Sequence, residues 1–317
     1  MKRRIILDTD MGSDVDDALC LALALASPEI ELVAVTHVSR DTRLRAAISK
    51  RLLELAGRPE VPVFAGLGEP LSGEQRFSWF GNEGDGILES GERPAIDPEP
   101  AVAALGRLIR ANQGIEIVAV GPMTNLAALL TAEPELARRV SRLTIMGGHI
   151  REVAYRDCVF PPGVDYNFCS DPDASLMVLN AGIPTRLVTA DVTLQVWMTG
   201  ADLARFEATR SPLLLALARA VRRWTPIMRR VFGNFGAEIE PDNAAFLHDP
   251  LALACVYDES FCSFADLEIE PAIEGGLFRT IERARPDART RRLRCATAVD
   301  AERFRAHFVA RLLALAG

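Results

Sequence analysis

Five aspartates lie within ten residues near the start of the chain, namely Asp8, Asp10, Asp14, Asp16 and Asp17. Carboxylates this close repel one another and raise one another's pKa values. A bound hard cation removes that repulsion, and a ligand set made only of oxygen atoms suits Ca²⁺ or Mg²⁺. The alternative is a solvated acidic turn in which Asp17 caps a helix, but a cap needs one carboxylate and not five. The run therefore predicts a metal-binding loop in an active site, with Ca²⁺ as the favoured ion.

Two other kinds of acidic loop fit the spacing less well. In an EF-hand loop Gly12 would stand where a ligand is needed, and Leu19 would replace the bidentate glutamate at the twelfth position. The Asp-Thr-Asp after the first strand also resembles the nucleophile motif of haloacid-dehalogenase-type phosphatases. No lysine follows Lys50, however, and the second acidic pair comes only six residues later. Both alternatives are disfavoured.

The composition limits the classes of protein to which the chain can belong. Its 317 residues, 49% of them hydrophobic, can bury a large core. A net charge of −7 argues against nucleic-acid or anionic-membrane partners, because both attract basic surfaces. No run approaches the roughly 18 apolar residues of a membrane span, and no signal-peptide core follows residues 1–4. The six cysteines include no CxxC pair, so we expect free thiols in a reducing cytoplasm.

Short apolar runs alternate with segments whose apolar residues have helical spacing. The predicted strands are residues 4–7, 30–38, 61–65, 115–120, 142–146 and 184–189. The predicted helices are residues 17–26, 44–56, 101–111, a helix that opens at 126–130, and 174–181. From residue 201 the chain becomes mainly helical, with a long arginine-rich helix at 212–232, a β-rich section at 261–298 and a closing helix at 301–316.

The predicted strands are continuous hydrophobic runs, which are typical of a parallel sheet covered on both faces. The β-α-β alternation favours a doubly wound, mostly parallel sheet flanked by helices. No linker, repeat or low-complexity segment divides the chain, so we predict one large α/β domain over residues 1–317. Ligands bind beyond the carboxyl ends of the strands in such a sheet, and the acidic run lies at that end of the first strand.

Further polar motifs follow the acidic run in a fixed order along the chain. They are residues 35–41 (VTHVSRD), 121–125 (GPMTN), 145–148 (IMGG), 165–172 (DYNFCSDP) and 248–252 (HDPLA). Together with residues 5–18 they resemble the signature of the inosine/uridine-type nucleoside hydrolases. The resemblance spans nearly the whole chain, and the combination of motifs is highly specific.

This resemblance implies hydrolysis of the N-glycosidic bond of a ribonucleoside to ribose and a free base. The Ca²⁺ ligands that it implies are Asp10, Asp17, Asp249 and the backbone carbonyl of Thr124, with the ribose 2′- and 3′-hydroxyls and one water. Asp10 is then also the base that deprotonates this water. The residues that it assigns to the ribose hydroxyls are Asp16, Asn167 and Asp165. A carboxylate-rich site suits this reaction, because the sugar becomes oxocarbenium-like as the bond breaks.

The chain departs from the common family pattern at three positions. Asp10 and Asp16 are six residues apart where four is usual, so the loop holds two extra residues, among them Asp14. Whether Asp14 faces the metal stays open. Asp41 stands where an asparagine is common, and we count it among the substrate-binding candidates. Asp165 stands where a glutamate is common. Each change keeps an oxygen ligand, so catalysis is still expected.

Three further residues are candidates for contact with the base. The histidine of the family that matches His248 lies near the base and protonates the leaving group in some members, so we assign His248 to catalysis. Its alternative role is to orient the neighbouring Asp249. Trp79 could stack on a base or fill the core. Asn82 lies near a position where some relatives carry a histidine, and the base itself cannot be named from variable loops.

The leading hypothesis is a Ca²⁺-dependent ribonucleoside hydrolase of purine or pyrimidine salvage. By resemblance we expect a homo-oligomer, either a dimer or a tetramer. One alternative keeps the fold and changes the substrate to another N-ribosyl compound, such as a modified nucleoside or nicotinamide riboside. A second is a ribonucleoside-binding protein without catalysis, against which the intact Asp10 argues. A panel of nucleosides tested with and without a chelator separates these hypotheses.

Overall fold

The protein is built on a central nine-stranded sheet in a computed structural model that describes residues 2–12, 14–74, 82–156, 158–234 and 236–315. The strands of these ranges are β1 (Arg3–Thr9), β2 (Ile30–His37), β3 (Val63–Ala65), β4 (Glu116–Ala119), β5 (Arg142–Met146), β6 (Val153–Tyr155), β7 (Cys158–Phe160), β8 (Thr185–Val188), β9 (Trp197–Thr199), β10 (Asn243–Phe246), β11 (Cys262–Glu274), β12 (Leu277–Arg283) and β13 (Arg291–Val299).

The order across the main sheet is β12-β11-β13-β8-β5-β4-β1-β2-β3. From β3 to β13 every neighbouring pair is parallel, and β11 is antiparallel to both β13 and β12. The chain winds in one direction from β1 through β2 to β3 and in the other from β4 through β5 to β8. The order therefore reverses between β1 and β4. Two small antiparallel ribbons, β6-β7 and β9-β10, lie outside this sheet.

Helices cover both faces of the sheet. They are α1 (Asp16–Ala26), α2 (Thr42–Leu55), α3 (Ala101–Ala111), α4 (Thr124–Ala132), α5 (Tyr166–Ser170), α6 (Pro172–Asn180), α7 (Ala190–Thr193), α8 (Gly200–Glu207), α9 (Pro212–Asn234), α10 (His248–Tyr257) and α11 (Ala301–Ala314). Within the described ranges, no helix is long and apolar enough to cross a lipid bilayer.

The core has two layers because successive side chains of a strand point to opposite faces. In β1, Ile5 and Leu7 join an apolar cluster with residues of α1, α9, α10 and α11. Ile6 joins a second cluster with residues of α3, α4 and α6. All three side chains are completely buried, so β1 is covered on both faces and its end is held rigidly between the two layers.

The structure confirms the predicted class of fold, a single α/β domain with a large, mostly parallel sheet flanked by helices. The long helix predicted at residues 212–232 is α9, and the predicted β-rich section contains β11, β12 and β13. The sequence places α10 within the section that is predicted to be mainly helical but does not give its bounds. Residues 249–256 of this helix are all buried, so it lacks the polar face whose 3.6-residue period would reveal a surface helix.

Candidate active site

The crevice between β1 and β4 positions the acidic run. Where the strand order of an open α/β sheet reverses, the connections leave towards opposite faces and open a ligand-binding crevice. Here α1 follows β1 on one face and α4 follows β4 on the other. The acidic run leaves β1 at this place, as the sequence predicts.

Two helix N-termini meet at the crevice. Asp16 and Asp17 lie in the first turn of α1, and Asp249 lies in the first turn of α10. The backbone N–H of Asp249 donates to Oδ2 of Asp16 over 3.4 Å. A helix N-terminus carries partial positive charge, which stabilises nearby carboxylates. One carboxylate oxygen from each of these three residues lies within 4.8 Å of the other two.

A cavity of about 170 Å³ opens over these carboxylates. Its acidic side consists of Asp10, Asp14, Asp16, Asp17, Asp165 and Asp249. The rest of its lining consists of Val120, Met146, Tyr166, Asn167, Ala190, Leu194, Phe232 and His248. The lining thus combines oxygen ligands and hydrogen-bond acceptors with a group of apolar side chains. This combination suits a ligand with a hydroxyl-rich part and a flat, less polar part.

Burial and mutual repulsion hold protons on the carboxyls of this site. Burial raises the pKa of Asp10 to about 6, an effect that the nearby Arg45 cation opposes. Burial, followed by the charges of neighbouring aspartates, raises the pKa values of Asp16, Asp17 and Asp249 well above the ordinary value. A divalent cation would replace those protons. The all-oxygen donor set therefore fits a hard cation.

Hydrogen bonds from behind the cavity fix the carboxylates. The hydroxyl of Thr9 donates to Oδ1 of Asp17. Asp8 does not line the cavity; it is completely buried, and its Oδ1 accepts from Thr36 over 2.5 Å and from the amide of Asn125 over 2.9 Å. Asp8 thus joins β1, β2 and α4 beneath the acidic loop, and burial raises its pKa to about 6.

The predicted ribose-binding residues Asn167 and Asp165 also line the cavity. The amide nitrogen of Asn167 donates to the carbonyls of Val120 (2.8 Å) and Met146 (3.0 Å), which orients its side chain at the ends of β4 and β5. Asp165 caps α5 by accepting from the N–H of Phe168 over 3.0 Å. Burial raises the pKa of Asp165 to about 6.

His248 borders the apolar side of the cavity. Its Nδ1 lies 2.6 Å from the hydroxyl of Thr193, and its ring stacks on Phe246 with centroids 5.1 Å apart. Phe246 in turn packs against Phe232 of the cavity lining. Burial lowers the pKa of His248 to about 4, so the imidazole is neutral at pH 7. A hydroxyl that donates to Nδ1 leaves the ring proton on Nε2.

Three predicted site residues lie away from this cavity. Thr124 is the first residue of α4, and its hydroxyl donates to Asp171 over 2.7 Å. Asp41 is exposed and caps α2 by accepting from the N–H of Leu44 over 3.0 Å. Asn82 lines a small neighbouring recess together with Asp14. A fourth predicted residue, Trp79, lies outside the described residues.

The displacement of Thr124 has a simple geometric reason. β4 ends at Ala119, and the chain then turns into α4 before it reaches Thr124. The residue that brings a backbone carbonyl to the end of β4 is Val120, which lines the cavity. The sequence signal for it was present, since residues 115–120 form a predicted strand and ligand contacts follow strand ends.

Other residues at the site carry no sequence signal of their own. Arg45, Thr193 and Phe232 belong to helices whose spacing only predicts packing. Phe232 lines the cavity, although its place on the long helix favours a purely structural role. Their contribution depends on contacts between segments that are tens of residues apart in the chain.

A doubly wound sheet with a carboxylate-lined cavity at its reversal point defines a class of α/β enzymes, and comparisons with known proteins give the family. The profile described as "Inosine-uridine preferring nucleoside hydrolase" matches residues 5–306. The pyrimidine-specific ribonucleoside hydrolase RihA of Salmonella schwarzengrund is 34% identical over 270 residues, which cover 79% of this chain and 78% of that protein.

Solved structures agree with this assignment. The plant nucleoside hydrolase PpNRh1 superposes with a TM-score of 0.83 at 26% identity, over 98% of this chain and 99% of that one. The purine-preferring ribonucleoside hydrolase from Gardnerella vaginalis superposes with a TM-score of 0.82 at 26% identity, over 99% of each chain.

The chain therefore belongs to the inosine-uridine preferring nucleoside hydrolase family. It is an N-glycosidic hydrolase that converts ribonucleosides to ribose and free base. Enzymes of this family depend on a metal in general, and the cluster of Asp16, Asp17 and Asp249 could hold one.

Proposed function

We propose that this enzyme binds a ribonucleoside with its ribose over the acidic side of the cavity and its base against the apolar side. The observation that carries this proposal is the division of one cavity between six carboxylates and a wall that includes Leu194, Phe232 and His248. Asp16, Asn167 and Asp165 bind the ribose hydroxyls. Val120 and Met146 pack beside the sugar, where they exclude water.

Asp17, Asp249 and Asp10 are proposed as Ca²⁺ ligands. Asp16 lies in the same cluster, so it contributes to the ion's environment as well as to the sugar. The backbone carbonyl of Val120 replaces that of Thr124 in this proposal, because Val120 lines the cavity and Thr124 does not. When bound, the ion would supply positive charge that orients the ribose hydroxyls and the hydrolytic water.

Asp10 is the proposed general base. It accepts one proton from the attacking water, whose oxygen forms the new bond to C1′ while the bond from C1′ to the base nitrogen breaks. In the metal-free protein burial raises the pKa of Asp10 to about 6, and a bound cation would favour its ionised form, so the carboxylate can accept a proton at neutral pH. The buried carboxylates around it stabilise the positive charge that develops on the sugar.

His248 is the proposed donor of a proton to the departing base. Burial keeps the ring neutral at pH 7, so it first takes up one proton from solvent. With Thr193 beside Nδ1, the resulting imidazolium gives the proton on Nε2 to the leaving nitrogen and returns to its neutral form. The apolar wall beside the ring keeps water from competing for this proton. The alternative role for His248 is to orient Asp249, the next residue in the chain.

We expect Asp10→Asn to lower kcat by about 10²–10⁴-fold, because an amide cannot accept the proton. Initial rates of ribose release, measured on a panel of purine and pyrimidine ribonucleosides, test this. The matched control is Asp41→Asn. Asp41 is an exposed helix cap outside the cavity, and asparagine caps a helix equally well, so activity should be retained. An active Asp10→Asn enzyme would remove Asp10 from its assigned role.

The same panel separates the alternative substrates. One curated relative is named for pyrimidine specificity and one structural relative for purine preference, so we propose no preference between these classes. The alternative of another N-ribosyl substrate is tested by adding modified nucleosides and nicotinamide riboside. Calorimetric binding of a nucleoside without ribose release would favour the non-catalytic alternative.

We further propose a homo-oligomer that acts in the cytoplasm in nucleoside salvage. The described cysteines are free thiols, five of them buried, which suits a reducing compartment. Light scattering coupled to size-exclusion chromatography measures the oligomeric state. A mass of about 35 kDa, that of one chain, would contradict the oligomer.

A further inference from the structure

Arg45 contacts the backbone of the acidic loop and does not line the cavity. It lies on α2, and its side chain is 1% exposed. Nη1 donates to the backbone carbonyl of Asp10 and, over 2.9 Å, to that of Met11. Nε donates to the carbonyl of Ser39 over 2.8 Å. One guanidinium thus bonds two segments of backbone. The first carries Asp10, the proposed general base, and the second is the connection between β2 and α2.

The same guanidinium also reaches a third segment. Nη2 lies 3.9 Å from Oε1 of Glu83, whose side chain is only 14% exposed. The backbone of Glu83 itself lies near the acidic loop, since a Cβ on Gly12 would lie 3.6 Å from Cα of Glu83. Arg45 and Glu83 therefore pair beside the loop.

Gly12 shows how closely α2 fits the loop. Its φ is +111°, and a Cβ there would lie 2.7 Å from Cδ1 of Ile48. Ile48 and Arg45 are three residues apart on α2, so both side chains leave the same face of the helix. Arg45 bonds the carbonyls of the loop, and Ile48 packs against its turn. The loop is thus seated on α2 by polar and apolar contacts together.

We propose that Arg45 is a positioning residue that holds the Asp10–Gly12 backbone in the geometry needed to bind a divalent cation. The proposal rests on the proposed function, in which Asp10 is a ligand and a base. The fixed fork of a guanidinium can bond several carbonyls at once, which a lysine ammonium does not do in the same geometry. The positive charge also offsets part of the negative charge of the loop.

Two possible roles of Arg45, one through its charge and one through positioning the loop, predict opposite effects on Ca²⁺ binding when the side chain is removed. If Arg45 acted only through its charge, its removal would relieve repulsion towards a cation and strengthen Ca²⁺ binding. If it acts by positioning, its removal releases the loop and weakens Ca²⁺ binding. We expect weakening by about 10–100-fold, the range found when partners behind metal ligands are removed.

The experiment is calorimetric titration of the apo enzyme with Ca²⁺ alone. The variants are Arg45→Met and Arg45→Lys, and the control is Arg43→Met, which removes an exposed arginine of the same helix. We expect both Arg45 variants to bind more weakly, even though Lys keeps the charge, and the control to match the wild type. Tighter or unchanged binding by Arg45→Met would overturn the proposal, as would full rescue by Arg45→Lys.

Hydrogen exchange of the peptide that covers residues 8–17 gives a second measurement without metal. We expect this peptide to exchange about tenfold faster or more in the Arg45 variants than in Arg43→Met. Equal exchange rates would overturn the proposal. If the wild type binds no Ca²⁺, the metal assignment of the proposed function fails, and exchange alone then decides the role of Arg45. If Arg45→Met does not fold, Arg45→Lys takes its place in both measurements, and binding or exchange equal to that of Arg43→Met would overturn the proposal.

Discussion

At the scale of single residues, the hydroxyl of Thr193 positions the ring of His248, the proposed acid. Thr193 on α7 and His248 on α10 are 55 residues apart, yet their side chains meet at 2.6 Å. The stacking of His248 on Phe246 fixes the plane of the ring, and the hydroxyl fixes its rotation within that plane. Together they hold the ring in place at the cavity, which His248 lines.

We expect Thr193→Val to lower kcat with a smaller effect on KM. A hydrogen bond of this kind contributes about 1 kcal/mol, which corresponds to a roughly fivefold lower kcat. Steady-state kinetics on the preferred nucleoside measure this. Thr193→Ser retains the hydroxyl and should restore most of the rate. Equal kcat values for the Val and Ser variants would show that the hydroxyl does not act through His248.

At the scale of elements, the segment at residues 82–88 lies between the acidic loop and α9. Arg219 of α9 donates from Nε to the carbonyl of Gly86 over 3.1 Å. Gly86 has a φ of +88°, and a Cβ there would lie 2.7 Å from the backbone nitrogen of Ala220. The backbone of Gly86 therefore packs directly on the backbone of α9. This contact places α9 beside the small recess that Asp14 also lines.

We expect Gly86→Ala to destabilise the protein more than Gly91→Ala does. Both glycines have positive φ, but a Cβ on Gly91 would meet open space. The backbone strain of about 1–2 kcal/mol is common to both variants, so their difference isolates the lost contact at about 1–3 kcal/mol. Urea unfolding followed by circular dichroism measures the difference. Similar urea midpoints for the two variants would mean that the contact between residues 82–88 and α9 does not contribute to the stability of the protein.

At the scale of the whole molecule, the carboxylate cluster ties folding stability to pH. Burial raises the pKa of Asp14 to about 8 and those of Asp16, Asp17 and Asp249 well above the ordinary value. Above about pH 6.5 the folded protein then holds protons that the unfolded chain has lost. Stability must fall as pH rises wherever the folded state binds more protons.

The four histidines have the opposite effect, but in a lower window of pH, because burial lowers the pKa of each of them. Burial lowers the pKa of His37 to about 3 and that of His248 to about 4. Their contribution to stability therefore rises with pH up to about 6.5, the ordinary pKa of histidine, and is constant above it. Between about pH 6.5 and pH 8, the change of stability with pH is therefore due to the carboxyls and not to the histidines.

We expect the Tm of the metal-free protein to fall between about pH 6.5 and pH 8, with a smaller fall when Ca²⁺ is in excess. A bound cation replaces the protons and stabilises the folded state by mass action. Differential scanning calorimetry with and without chelator measures both curves. A metal-free Tm that rises across this window would contradict the assignment of raised pKa values to the cluster.

Local features of the chain were enough to predict much of this enzyme. Continuous apolar runs predict parallel strands because both faces of such strands are buried, and β1 with Ile5, Ile6 and Leu7 has that burial. The crowding of carboxylates after β1 predicts a cation site because their repulsion must be offset. Both inferences need only neighbouring residues. The motif at 248–252 adds Asp249, which does reach the cluster.

Only the tertiary structure decided which atoms meet at the site. Val120 rather than Thr124 lines the cavity because β4 ends where it does. Asp41 caps a helix, and Arg45 supports Asp10 from 35 residues away. Such contacts are set by how strands and helices end against one another, and the period of a sequence pattern does not encode that. The acidic run determined the kind of chemistry, and the packing around it determined the partners of each carboxylate.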